Sequence, residues 1–73
     1  MAVMGADEAA EANGLGMEAL RAGDARAAAA HFQRACEIAP EAGELWLNLA
    51  AAKRQLKDDE GERTALEHAL SLD

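Results

Sequence analysis

The chain has 73 residues, a net charge of −7 and one cysteine, which leaves no internal disulfide to close. So short a chain is one small domain whose core is marginal without help. Its acidic balance speaks against nucleic acid or an anionic membrane surface as partner. Alanine is abundant, whereas Val, Ile, Thr and the aromatic residues are scarce, and that vocabulary predicts an all-α fold.

The opening segment MAVMGADEAAEA has no basic start and no apolar run of signal length. No stretch approaches the ~20 apolar residues of a membrane span. The expected compartment is therefore the cytoplasm, where a lone thiol stays reduced. Met1 and Met4 should precede the first helix. That helix is predicted from about Asp7 to Ala22, with Asp7 and Glu8 favouring its start and Gly23 its stop. Gly14 and Gly16 each cost a helix about 1 kcal/mol relative to alanine, so both are expected where another backbone passes close by. Asp24 caps a second helix, which ends at about Ala39 because the residue before Pro40 is driven out of the helical region. A third helix runs from near Ala42 to Leu56. The acidic run Asp58-Asp59-Glu60 opens a fourth, reaching Leu72. Short connections make neighbouring helices antiparallel.

Sliding the chain by 34 residues sets Leu15 on Leu49, Gly16 on Ala50, Asp24 on Asp58, Phe32 on Leu66, Ala35 on Ala69 and Ile38 on Leu72. Few are identities, but side-chain size recurs. Such a period is the mark of a repeat architecture. Gly16 and Ala50 each follow a large Leu expected in the core, and should mark close helix contact. The only Phe, Cys, Pro and Trp crowd into residues 31–50. Phe32, Ala35, Pro40, Trp46 and Leu49 straddle the join between units, so the crowding reads as a packing seam, with Trp46 largely buried between the units.

The period, the two helices per unit and the order of sizes resemble the tetratricopeptide repeat. Its pattern is Trp-x-x-Leu-Gly-x-x-Tyr, then Ala, then Phe-x-x-Ala, then Pro. A first unit of about residues 9–42 matches at Leu15, Gly16, Ala28, Phe32, Ala35 and Pro40. A second, about 43–73, matches at Trp46, Leu49, Ala50 and Ala69, with Leu66 in the Phe place. Ala12 stands where Trp is usual, Ala19 and Lys53 where Tyr is usual, and Glu62 where Ala is usual, which predicts looser packing of the second pair. The resemblance implies two helix-turn-helix units over residues 1–73, the start of a right-handed solenoid. It implies a groove lined by Asn13, Met17, Leu20, Leu47, Asn48, Ala51, Arg54 and Gln55, with Asn48 where many such repeats hold a peptide backbone. Asn13 and Met17 depart from the Lys and Asn of repeats that clamp chaperone C-termini, so that clamp is not expected.

No catalytic motif is present. His31 and Cys36 lie five apart on one helix and face different ways, Cys36 reads as a small buried hydrophobe, and His68 reads as exposed. No residue set has metal or cofactor spacing. The expected function is a non-catalytic module that binds a peptide or partner protein. The alternative is an N-terminal helper or dimerisation domain of a larger enzyme. For this, the second unit resembles repeats that precede aspartyl/asparaginyl β-hydroxylase-like dioxygenases. The repeat pattern would next call for a proline after Asp73, so the chain is expected to be part of a longer protein. Leu66, Ala69, Leu70 and Leu56 should then leave an apolar face open, and a homodimer through the C-terminal helices is expected to cover it.

Overall fold

A computed structural model describes residues 5–72; Met1 and Met4, expected ahead of the first helix, lie outside it. Four helices follow in order: α1 Ala6–Arg21, α2 Ala25–Ile38, α3 Gly43–Gln55 and α4 Asp59–Ser71. The described residues contain no strand. The bounds fall within about a residue of those read from the sequence, because the stop and start signals are local.

The turn within each helix pair shows how closely the halves repeat. Gly23 and Lys57, 34 apart, both take a left-handed backbone, with φ of 84° and 61°. In the first turn the Gly23 N–H donates to Leu20 C=O and the Asp24 N–H to Ala19 C=O. In the second, Lys57 donates to Arg54 and Asp58 to Lys53. These paired bonds close each helix C-terminus. An aspartate then opens each following helix: Asp24 accepts from the Ala27 N–H at 3.1 Å, and Asp58 from the Gly61 N–H at 2.9 Å. That bond, with Lys53 beside it, holds the Asp58 carboxyl below the usual carboxylate range. The α2–α3 turn is built differently. Ala39 leaves the helical region ahead of Pro40, and α3 starts at Ala42, which is extended and makes no side-chain cap.

α1 packs on α2, α3 on α4, and α2 on α3, while α1 meets α3 along a narrow line. The core is small and alanine-rich: Ala9, Ala12, Ala28, Ala35, Leu45, Leu49, Ala50, Ala52 and Ala65 surround Phe32 and Cys36, the largest fully buried side chains. Alanine suits this fold because helix axes can approach closely where no side chain intervenes. Gly16 takes the idea furthest. A Cβ there would lie 2.5 Å from the Phe32 ring, whose edge occupies the space. Ala50, the matching position, is buried as expected.

Three expectations need correction. Gly14 faces open space, with nothing within 4 Å of where its Cβ would stand, so no backbone passes there. Leu15 is 47% exposed although its counterpart Leu49 is 3% exposed. Leu49 sits on a helix that has α2 in front of it, and among the described residues no helix lies in front of α1. Trp46 is half-buried, not largely buried. Its ring lies on His68 of α4 and its indole N–H reaches back to Pro40 C=O at 2.9 Å.

The two glycines of α1 should therefore respond in opposite directions to alanine. Gly14→Ala should stabilise by about 1 kcal/mol, the helix-propensity difference, and raise the melting temperature by several degrees. Gly16→Ala should instead destabilise, by about 1–3 kcal/mol of overpacking against Phe32, and lower the melting temperature. Thermal unfolding followed by circular dichroism measures both; a stabilising Gly16→Ala would mean that the ring is not wedged there.

Candidate functional site

α1 and α3 lie side by side and present the face on which the groove was expected. Asn13 and Asn48 meet at its centre, where the Asn48 side-chain amide donates to Asn13 Oδ1 at 2.8 Å. Both are half-buried. The bond joins the two units across their inner edge and satisfies an amide expected to hold a peptide backbone. An incoming backbone would therefore compete with Asn13 for it. Met17 of α1, at 40% exposure, and Leu47 of α3, at 51%, are uncovered apolar side chains; Leu47 lines a separate shallow hollow with Ala69, Leu70 and Leu72. Leu20 is half-buried, whereas Ala51 and Gln55 are exposed. Arg54 is turned from the groove toward α4, its Nε 3.0 Å from Glu62 Oε2. Glu62, standing where alanine was expected, thus ties α3 to α4 by a charged pair.

At the N-terminal end of these helices the face deepens into a cleft of about 520 Å³. Ala6, Ala9, Ala10 and Asn13 of α1 form one wall; Ile38, Ala39, Ala42 and Leu45 form the floor and other wall. Glu41 and Glu44 stand at the rim, both exposed. The cleft exists because the α1 side chains are alanines. The four-residue spacing of Ala6 and Ala10, with Ala9 and Asn13, puts them on one stripe. Sequence reasoning missed this end of the groove, although the alanine stripe was the signal available.

On the opposite edge, the Trp46 and His68 rings stack with centroids 4.2 Å apart and planes 12° from parallel. They flank a shallow hollow of about 460 Å³ between α3 and α4. His68 is exposed on its outer side, and the stack fixes Trp46 against α4. Cys36 is fully buried; burial, and then the neighbouring Glu37 charge, push its thiol up to about 11. A thiol so held is poorly nucleophilic. Among the described residues no group of three or more His, Cys, Asp or Glu is placed to hold a metal, and no helix is long and apolar enough to cross a membrane.

The C-terminal face carries Leu66 at 38%, Leu70 at 75% and Leu72 at 44% exposure, with Ala69 half-buried beside them. Their counterparts 34 residues earlier are Phe32 and Cys36, both fully buried, and the half-buried Ile38. The helices are equivalent and the side chains similar in kind. What differs is that α3 lies on α2 and no helix of the structure lies on α4.

Residues 43–73 match the family model described as tetratricopeptide repeat. The chain is also similar to tetratricopeptide repeat protein 36 of Danio rerio, at 39% identity over 57 residues. That similarity takes in 78% of this chain and 30% of the relative, so the chain spans less than a third of the relative's length. No solved structure matches.

Proposed function

The chain belongs to the tetratricopeptide repeat family, and on that premise we propose that it is a non-catalytic module which binds a peptide segment or partner protein across the α1/α3 face. Repeats of this family generally mediate protein–protein interaction. The observation that carries the reading is the half-buried Asn13–Asn48 bond between α1 and α3, with an uncovered apolar side chain on each of the two helices, Met17 and Leu47. Large apolar side chains beside convergent polar groups are the ordinary makeup of a recognition surface. The buried, weakly reactive Cys36 fits a reducing compartment, and the cytoplasm is our assignment.

A second reading rests on α4. The open face of Leu66, Leu70 and Leu72 supports self-association through the C-terminal helices. The ends are not complementary enough for head-to-tail stacking. Leu45 and Ala52 are buried on α3, whereas the matching places on α1 hold Glu11 and Glu18, both exposed. Burying two carboxylates against leucines is costly, so an isologous dimer of α4 faces is the arrangement favoured. The enzyme-helper reading would use the same face differently, with a following domain covering it.

Both readings have direct tests. Peptides selected from a random display library against the full chain should shift the backbone amide signals of Met17, Leu47 and Ala51. The double variant Met17→Ser/Leu47→Ser should lose them while its melting temperature stays within the range of surface substitutions, about 0.5 kcal/mol. Retained binding would remove the groove as the site. Light scattering at tens of micromolar should give a dimer mass, and Leu66→Glu/Leu70→Glu a monomer. A monomeric parent chain would leave α4 to a different partner, as the enzyme-helper reading requires.

A further inference from the structure

The charge of the chain is segregated. Residues 1–20 and 35–52 hold seven acidic residues and no lysine or arginine, so they carry the whole net charge of −7. The remaining residues balance seven acidic against seven basic. The acidic segments supply most of α1, the end of α2, the turn that follows it and most of α3. These same elements enclose the alanine-walled cleft. At its rim Glu41 and Glu44 are exposed, and among the described residues neither has an ion-pair partner. The helix ends beyond Met17 and Leu47 are different in sign, carrying Arg21 in the last turn of α1 and Lys53 and Arg54 in that of α3.

We propose that the cleft at the N-terminal end of α1 and α3 is a subsite for a basic, apolar peptide segment. An aliphatic side chain seats between Ala6, Ala10 and Leu45, and a neighbouring lysine or arginine meets Glu41 and Glu44. The proposal rests on the groove reading above and adds the chemistry of its occupant. The physical case has two independent parts. The cleft is lined by Ala6, Ala9 and Ala10 of α1, by Ile38 and Leu45 and by the alanines of the α2–α3 turn, which offer contact to an aliphatic chain, while the side-chain oxygen of Asn13 is already engaged. The rim presents two carboxylates in a region without a basic residue, which raises the local concentration of cations and disfavours acidic segments. A lysine or arginine side chain suits both parts, since its methylenes can lie on apolar wall while its charge stays at the wet rim.

The test uses the full chain and three synthetic peptides, each acetylated and amidated. One is built of leucine, alanine and lysine; its twins carry glutamine or glutamate in place of every lysine. Affinities come from titration calorimetry, and the site from amide signals of Ala9, Ala10, Asn13 and Glu44. The lysine peptide should bind at the cleft about tenfold more tightly than the glutamine peptide, and the glutamate peptide should bind most weakly. Salt should erase the difference, since the Debye length falls from about 10 Å at 0.1 M to about 3 Å at 1 M. Glu41→Gln/Glu44→Gln should reduce the preference, whereas Asp59→Asn/Glu60→Gln, which removes as much charge from α4, should leave it unchanged. Equal loss in both variants would show attraction to the overall charge and overturn the proposal. Equal binding of lysine and glutamine peptides in the cleft would overturn the specificity and leave the groove reading standing. No shift at the cleft or at Met17 and Leu47 with any peptide would sink both.

Discussion

The structure depends on the edge of one aromatic ring resting on a glycine. Phe32 is the only phenylalanine of the chain, it is fully buried, and its ring fills the space a Cβ at Gly16 would need. That contact brings α1 within reach of α2. Phe32 is fully enclosed whereas Leu66, in the same place on α4, is 38% exposed. The difference measures what α3 contributes in covering the first pair. A core made largely of alanine gains little from any single side chain, so the few large residues decide where the helices sit. Phe32 serves the packing of the first unit and the seam with the second.

Around that contact the molecule is nearly a translation of itself. The two left-handed turns, their paired backbone bonds and their aspartate caps recur at the repeat spacing. Translation explains the open faces as well. A helix pair buries a side only when a neighbour lies on it, so an array leaves its two ends uncovered. The ends are not alike. α1 turns Glu11 and Glu18 outward beside Leu15, while α4 turns out Leu66, Leu70 and Leu72. One end carries charge that keeps it wet, and the other keeps the apolar character of an internal interface.

The helices and the repeat were legible because their signals are local or periodic: Asp24 and Asp58 as caps, Gly23 as a stop, Pro40 as a break. The burial of Cys36 and the tight spot at Gly16 followed from the register. What the register could not supply was which neighbours exist. Leu15 reads like Leu49, but among the described residues no helix lies in front of α1 to cover it. Trp46 reads as a fully packed seam residue, but it is half-buried, with its ring on His68 of its own pair and its indole N–H on Pro40 C=O of the first unit. Gly14 and Gly16 are indistinguishable as letters, and only the packing separates the glycine that admits a ring from the one that faces water. The groove residues could be named from the resemblance. The Asn13–Asn48 bond and the turn of Arg54 toward Glu62 depend on pairings across helices that a spacing argument does not reach.

The central claim is that both units share one core through Phe32 and so unfold as one. Trp46 lies in the second unit and Phe32 in the first, which makes the claim measurable with a single probe. Urea unfolding should be followed by Trp46 emission and by helical circular dichroism, for the parent chain and for Phe32→Leu. The account predicts superimposable transitions for each protein, with Phe32→Leu shifting both signals together by about 1–2 kcal/mol. A Trp46 transition that stays in place while dichroism loses the first pair earlier would show two units folding separately, and would contradict the account.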